Sequence, residues 1–124
     1  LKEFVQLLMG STRAGVDWVA RYGGEEFLIV LPETGVNAAM AFAEKLRVRA
    51  AVHVFPSASG PLRITSSFGV AGYDVLQDNE ASIVDNLIAY ADLCLYRAKE
   101  TGRNRVVGKS LHEGGRTIVL DRPN

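Results

Sequence analysis

Arg21-Tyr22-Gly23-Gly24-Glu25-Glu26-Phe27-Leu28-Ile29-Val30 sets two adjacent glycines ahead of two carboxylates and an unbroken apolar run. Residues 27–31 are rich in branched side chains, the pattern of a strand covered on both faces. Pro32 ends that strand because proline cannot donate to a ladder. Residues 17–22 supply an antiparallel partner, so 17–31 reads as a hairpin joined by Gly-Gly-Glu-Glu. Successive strand residues point to opposite faces, so Glu25 and Glu26 are not a paired acid–base dyad. One carboxylate beside a glycine turn, where backbone approaches a ligand with no Cβ in the way, suits a hard cation carrying a phosphate. A solvated turn with two exposed charges satisfies the same local pattern and is the commoner use of such residues.

Outward from the hairpin, Asn37 is placed to cap a helix. Its apolar positions Ala39, Phe42, Ala43, Leu46 and Ala50 follow the helical period, with Glu44, Lys45, Arg47 and Arg49 on the opposite face. Upstream, Leu1, Phe4, Val5 and Leu8 share one helix face, which Gly10 closes. Downstream, 56–61 reads as a loop and 62–73 as a strand with Ile64, Ser66, Phe68 and Val70 in alternation; Gly69 within it points to close backbone approach. Ser82 opens a second long helix with Ile83, Leu87, Ala91, Cys94 or Leu95, and Ala98 on one face, and Gly102 stands where a C-terminal cap belongs. Residues 105–108 form a short strand. In the remaining tail, 109–124, Gly114-Gly115 separates two apolar segments as a short hairpin does. This order of elements is an α+β pattern with helices on one sheet. Two long helices need a broad apolar sheet face, yet no strand precedes the first helix, so the core reads as incomplete on its N-terminal side.

With 124 residues, 48% hydrophobic and 23% charged, the chain has the size and mix of one globular domain. Fourteen basic against fourteen acidic residues leave no net charge, which argues against nucleic acid or an anionic membrane as partner and makes any anion site local. The single Cys94 excludes an internal disulfide, and His53 and His112 have no zinc spacing. No apolar run approaches the roughly 20 residues of a membrane-spanning helix, so the expected location is cytoplasmic. The chain starts at Leu1 without a methionine, so further residues are expected upstream.

Lys99 and Arg103, four residues apart at the end of the second long helix, put two cations on one side. Positive charge there complements the helix dipole, worth roughly 0.3 to 1 kcal/mol, and the same pair can clamp a phosphate, lysine as a point charge and arginine as a planar fork. Gly108-Lys109-Ser110 imitates the end of a P-loop but lacks the earlier glycine, since Arg103 occupies that position. Cys94, within an apolar helix stripe, reads as inert core.

Taken together these segments are familiar. The stretch from Ala20 to Phe27, ARYGGEEF, resembles the signature loop of the GGDEF family of diguanylate cyclases in its GGEEF form. Ala91-Asp92-Leu93-Cys94-Leu95-Tyr96-Arg97-Ala98-Lys99 followed by Gly102-Arg103-Asn104-Arg105-Val106 resembles the family's A-D-x-A-L-Y-x-A-K-x-x-G-R-N-x-V segment. Thr65-Ser66-Ser67-Phe68-Gly69-Val70-Ala71 is similar to its T-x-S-x-G-V-A strand, and Ala43-Glu44-Lys45-Leu46-Arg47 to the helix after the hairpin. The matches run in the family's order over residues 1–107, making 1–108 a partial domain.

The resemblance implies a nucleotide-cyclase or palm-like, ferredoxin-like α+β sheet that lacks the family's first strand and first helix region. It implies a transferase of bacterial signalling that condenses two GTP into cyclic di-GMP, with release of pyrophosphate, across a homodimer and with Mg²⁺ or Mn²⁺ as cofactor. Carried over by motif, Glu25 is the metal ligand with a catalytic role, and Glu26 is the second acidic residue of the site. Gly23 and Gly24 let the nucleotide pass, and Lys99 and Arg103 hold its terminal phosphates. An attached sensory or regulatory domain is expected. The family's metal-binding aspartate and its guanine-reading Asn and Asp precede the hairpin, whereas residues 1–16 contain neither residue type, so the segment alone is expected to be inactive. Asp17 stands at the aspartate of the family's R-x-x-D product-inhibition site, but Ala14 fills the arginine position and Arg13 is displaced by one, so weak or absent feedback is expected. A different class fits the same residues: a degenerate domain that binds nucleotide or a partner and regulates an attached module without turnover.

Overall fold

The computed structural model describes residues 2–74, 80–113 and 116–123. Its elements, in order, are α1 (Lys2–Ser11), β1 (Trp18–Arg21), β2 (Phe27–Pro32), α2 (Val36–Val52), β3 (Ser66–Asp74), α3 (Glu80–Glu100), β4 (Val106–Glu113) and β5 (Arg116–Pro123). The five strands form one sheet in the order β1-β2-β5-β3-β4. Every neighbouring pair is antiparallel except β3 with β4, which are parallel.

Alternation along β2 decides which helix covers which face. Phe27, Ile29 and Leu31 are buried in a core with Phe4 and Leu8 of α1, Ala39, Ala43, Leu46 and Ala50 of α2, and Phe68, Val70 and Val119 of the central strands. Leu28 and Val30 turn the other way and pack, with Ala71, against Leu87, Ala91 and Leu95 of α3. The sheet thus lies between α2 with α1 on one side and α3 on the other, and β2 is covered on both faces as its unbroken apolar run requires. The three alanines on the buried face of α2 keep that helix close to the strands.

Several boundaries differ from the sequence reading. Gly10 lies within α1, which continues to Ser11. The cap of α2 is Gly35, in extended conformation with no side-chain cap bond, so Asn37 sits inside the first turn. Leu62 belongs to an isolated bridge with Phe55, and regular pairing of β3 begins only at Ser66. Likewise α3 includes Ser82 rather than opening on it. Gly102 does close α3: its φ is 136°, and the Arg103 N–H donates to the Ala98 carbonyl at 2.8 Å, the six-to-one bond of a Schellman cap.

The largest correction concerns 109–124, which is not a tail with its own hairpin. The short strand at 105–108 extends as β4 to Glu113, and β5 does not pair with it. Instead β3 lies between the two, and β5 occupies the centre of the sheet, hydrogen-bonded to β2 and β3. Gly114-Gly115, the supposed turn, lies outside the described residues. A run apolar on successive residues suits a strand covered on both faces better than a solvent-exposed hairpin, and Val119 is fully buried. The incomplete core expected from the sequence is filled by the chain's own C-terminal strand.

Candidate functional site

Gly23, Gly24 and Glu25 form the tip of the β1–β2 hairpin. Both glycines hold positive φ, 71° and 43°, which a residue with a Cβ adopts only under strain. The Tyr22 N–H donates to the Glu26 carbonyl at 2.7 Å and the Glu26 N–H to the Gly23 carbonyl at 2.9 Å. Arg21 Nε braces the loop from the side by donating to the Gly24 carbonyl at 2.8 Å. Glu25 is left exposed at the tip while Glu26 is half-buried, so the two adjacent acids have different surroundings.

The end of β5 reaches this hairpin. Asp121 pairs in register with Phe27 on one side and Phe68 on the other, one row in from the turn. It is fully buried, and the buried hydroxyl of Ser66 is its polar neighbour, although no hydrogen bond of full geometry reaches either carboxylate oxygen. Burial drives the Asp121 carboxyl well above its ordinary range; the neighbouring Ser66 hydroxyl and the charge of Lys99 oppose that rise without cancelling it. The Phe68 N–H donates to the Arg105 carbonyl at 2.9 Å and the Asn104 N–H to Ser67 Oγ at 3.2 Å, which brings the end of α3 to this edge. Hairpin tip, Asp121 and Lys99 therefore share one end of the sheet. Arg103 follows the α3 cap with φ 62° and an exposed side chain. Asp121 could not be singled out from sequence, because only the register of β5 brings it here.

A carboxyl whose hold on its proton is strengthened by burial in the fold has a thermodynamic signature. The folded chain keeps a proton that the unfolded chain releases above about pH 4, so this group's contribution is complete below the unfolded pKa and is lost as pH rises toward the folded value. Urea unfolding from pH 4 upward is expected to give stability that falls with rising pH, by at most about 1.4 kcal/mol per unit. Asp121→Asn, which keeps the shape and cannot ionise, is expected to flatten that slope. Equal slopes in both proteins would show that Asp121 is ionised in the fold.

Among the described residues no three His, Cys, Asp or Glu side chains converge on one point, so there is no preformed cation cage. Exposed Glu25 fits a hard cation that takes its other oxygens from water and bound phosphates, whereas the fully buried Asp121 presents no accessible oxygen to it.

Arg13 and Asp17 do meet, in an arrangement of their own. The Arg13 backbone N–H and guanidinium both donate to the Asp17 carboxylate, at distances from 2.7 to 3.1 Å. Arg13 Nη2 also donates to the Pro32 carbonyl at 3.2 Å and to Thr34 Oγ1 at 3.1 Å. Burial would raise the Asp17 carboxyl, but the bonds from Arg13 outweigh it and hold it below its ordinary value. The pair borders a cavity of about 380 Å³ beside Leu31 and Phe42. Arg13 is thus committed to internal partners.

Comparison with known proteins finds relatives in sequence and in fold. The family model described as "Diguanylate cyclase, GGDEF domain" matches residues 1–105. Diguanylate cyclase A of Treponema denticola is 38% identical over 106 residues, 86% of this chain and 27% of that protein. The response regulator PleD of Caulobacter vibrioides is 38% identical over 112 residues, 89% of this chain and 24% of its own length. The chain therefore spans about a quarter of the length of these curated relatives. Among solved structures, the diguanylate cyclase SiaD of Pseudomonas aeruginosa, in complex with its activator SiaC, superposes with a TM-score of 0.71 at 28% identity, covering 86% of this chain and 39% of the SiaD chain.

Proposed function

The chain belongs to the GGDEF family of diguanylate cyclases, and from that premise we propose that its parent protein condenses two GTP into cyclic di-GMP, releasing pyrophosphate. The observation that carries this reading is the convergence of the Gly-Gly-Glu-Glu tip, Asp121 and Lys99 at one end of the sheet. Two such domains face each other as a homodimer, so that the 3′-hydroxyl on one GTP attacks the α-phosphate on the other. Holding both in line removes most of the orientational part of the barrier.

Each residue has a part in that arrangement. Positive φ at Gly23 and Gly24 leaves backbone without a Cβ at the tip, where the nucleotide passes. Lys99 and Arg103, at the end of α3, neutralise the terminal phosphates. Glu25 would hold Mg²⁺ or Mn²⁺, which supplies charge neutralisation on the phosphates and favours loss of the hydroxyl proton. Half-buried Glu26 shapes the site from the base of the turn. Selection of guanine falls to residues outside this chain, since 1–16 offers no Asn or Asp. Feedback by product is weak because Arg13 is spent on Asp17, Pro32 and Thr34. Among the described residues no helix is long and apolar enough to cross a membrane, which accords with a cytoplasmic catalytic domain joined to a sensory or regulatory one.

A synthesis assay with GTP and Mg²⁺ tests the reading. The 124-residue chain alone is expected to make no cyclic di-GMP, while the full-length protein makes it and loses about a hundredfold or more in rate on Glu25→Gln. Product from the chain alone that vanishes on Glu25→Gln would refute the assignment of guanine selection elsewhere. A full-length protein that binds GTP without turnover would establish the degenerate regulatory module instead.

A further inference from the structure

We propose that the cleft between α3 and β4 binds a small organic oxyanion with an apolar body, gripped by Arg97 and Lys109. The cleft encloses about 190 Å³, and Tyr90, Leu93, Cys94 and Val107 line it below the two cations. Val107 and Lys109 alternate on β4 with Gly108, which abuts Met40 of α2, so their side chains face α3. Lys109 Nζ lies 4.7 Å from the centre of the Tyr90 ring, which fixes it at the mouth.

Arg97 and Lys109 both line the cleft, and no carboxylate is among its lining residues. The two line the same cleft as the buried Cys94, whose thiol is raised by burial and lowered in part by the charges of Arg97 and Lys109. Among the described residues neither side chain makes an ion pair. Two like charges lining one small cleft over an apolar floor are both favoured by an anion placed between them. Arg97 offers a planar fork and Lys109 a point charge, the combination suited to a carboxylate or phosphate group. The half-buried ring of Tyr90 and the aliphatic atoms of Leu93 and Val107 then accept an apolar body no larger than one ring, since drug-sized ligands need roughly 300 Å³ or more.

This cleft is separate from the site at the hairpin tip. Lys99 follows Arg97 by two residues and so points about 200° away around the helix. Lys109 lies beyond the residues matched by the family model.

Titrating the isotopically labelled chain with phenyl phosphate, benzoate, inorganic phosphate and benzyl alcohol, followed by amide chemical shifts, tests the proposal. Saturable shifts at Leu93, Val107 and Lys109 are expected with phenyl phosphate or benzoate, at least about tenfold tighter than with inorganic phosphate or benzyl alcohol. Whichever of the first two binds more tightly identifies the natural ligand as a phosphate ester or a carboxylate. Arg97→Gln and Lys109→Gln, both at exposed positions, are each expected to weaken binding about tenfold or more. Absence of saturation by about 10 mM of either aryl anion, or affinity unchanged in both variants, would overturn it.

Discussion

Gly69→Ala is expected to destroy the cooperative fold. A Cβ at Gly69 would lie 2.1 Å from the carbonyl oxygen of Ala91 and 2.4 Å from the amide nitrogen of Leu95. Both are backbone atoms of α3, so no rotamer change relieves the clash and the helix must retreat from the sheet. Retreat would open the face where Leu87, Ala91 and Leu95 pack on Ala71, Leu28 and Val30. Overpacking a tight core costs about 1 to 3 kcal/mol, and separating a helix from its sheet adds cavity terms of similar size. Together these come to about 2 to 6 kcal/mol, which reaches the lower end of a domain's whole stability of about 5 to 15 kcal/mol. Thermal melts by circular dichroism are expected to fall by about 15 °C or more, or to lose their transition. Gly108→Ala is the control, because there the Cβ meets the flexible end of Met40 rather than backbone. A Gly69→Ala protein that melts within a few degrees of the unchanged chain, or no more damage than at Gly108, would show that α3 does not rest on β3 as described.

The contrast between those glycines bears on what a sequence discloses. Gly69 was readable as a place of close approach because a glycine in a strand has few other uses, but the partner, the backbone of α3, is remote in sequence. The hairpin at 17–31 was legible because its determinants are local: two glycines at the turn and two apolar or alternating flanks. The buried stripe of α2 was legible for the same reason, and Ala39, Ala43, Leu46 and Ala50 are all in the core. Its start was not, since Gly35 caps through its backbone, accepting from the Ala39 N–H at 3.0 Å, and leaves no side-chain signature. Arg13 hid in a different way. Its one-residue displacement suggested a misdirected side chain, but the turn between α1 and β1, with the Asp17 N–H on the Arg13 carbonyl at 2.9 Å, brings the two residues together. The position of β5 was least legible of all. An apolar run between turn residues specifies a strand but not its neighbours, and here the neighbours are β2 and β3, far back in the chain. With β5 went Asp121, the buried acid one row in from the hairpin turn.

That central position carries the second large effect: a chain ending at Glu113 is expected not to fold. Removal of β5 deletes six residue pairs with β2 and eight with β3, leaving two interior strands with open edges. Phe27, Ile29, Phe68 and Val70, now essentially buried, would border the gap left by Val119. The β1–β2 hairpin would lose its connection to the rest of the sheet, and an isolated hairpin is marginal in water. The truncated chain is therefore expected to show no cooperative thermal transition and to bind a hydrophobic dye. A synthetic peptide of residues 114–124 added in trans is expected to restore the transition in a concentration-dependent way, because the vacated slot offers hydrogen-bonding edges on both sides. Peptide with Asp121→Asn should restore it at lower concentration at neutral pH, since burying an amide there avoids the cost of protonating or desolvating a carboxylate. A truncated chain that melts cooperatively within about 10 °C of the full one would mean that β2 and β3 hold together without β5. In that case the burial of Asp121 between Phe27 and Phe68, and the pH dependence that follows from it, could not stand.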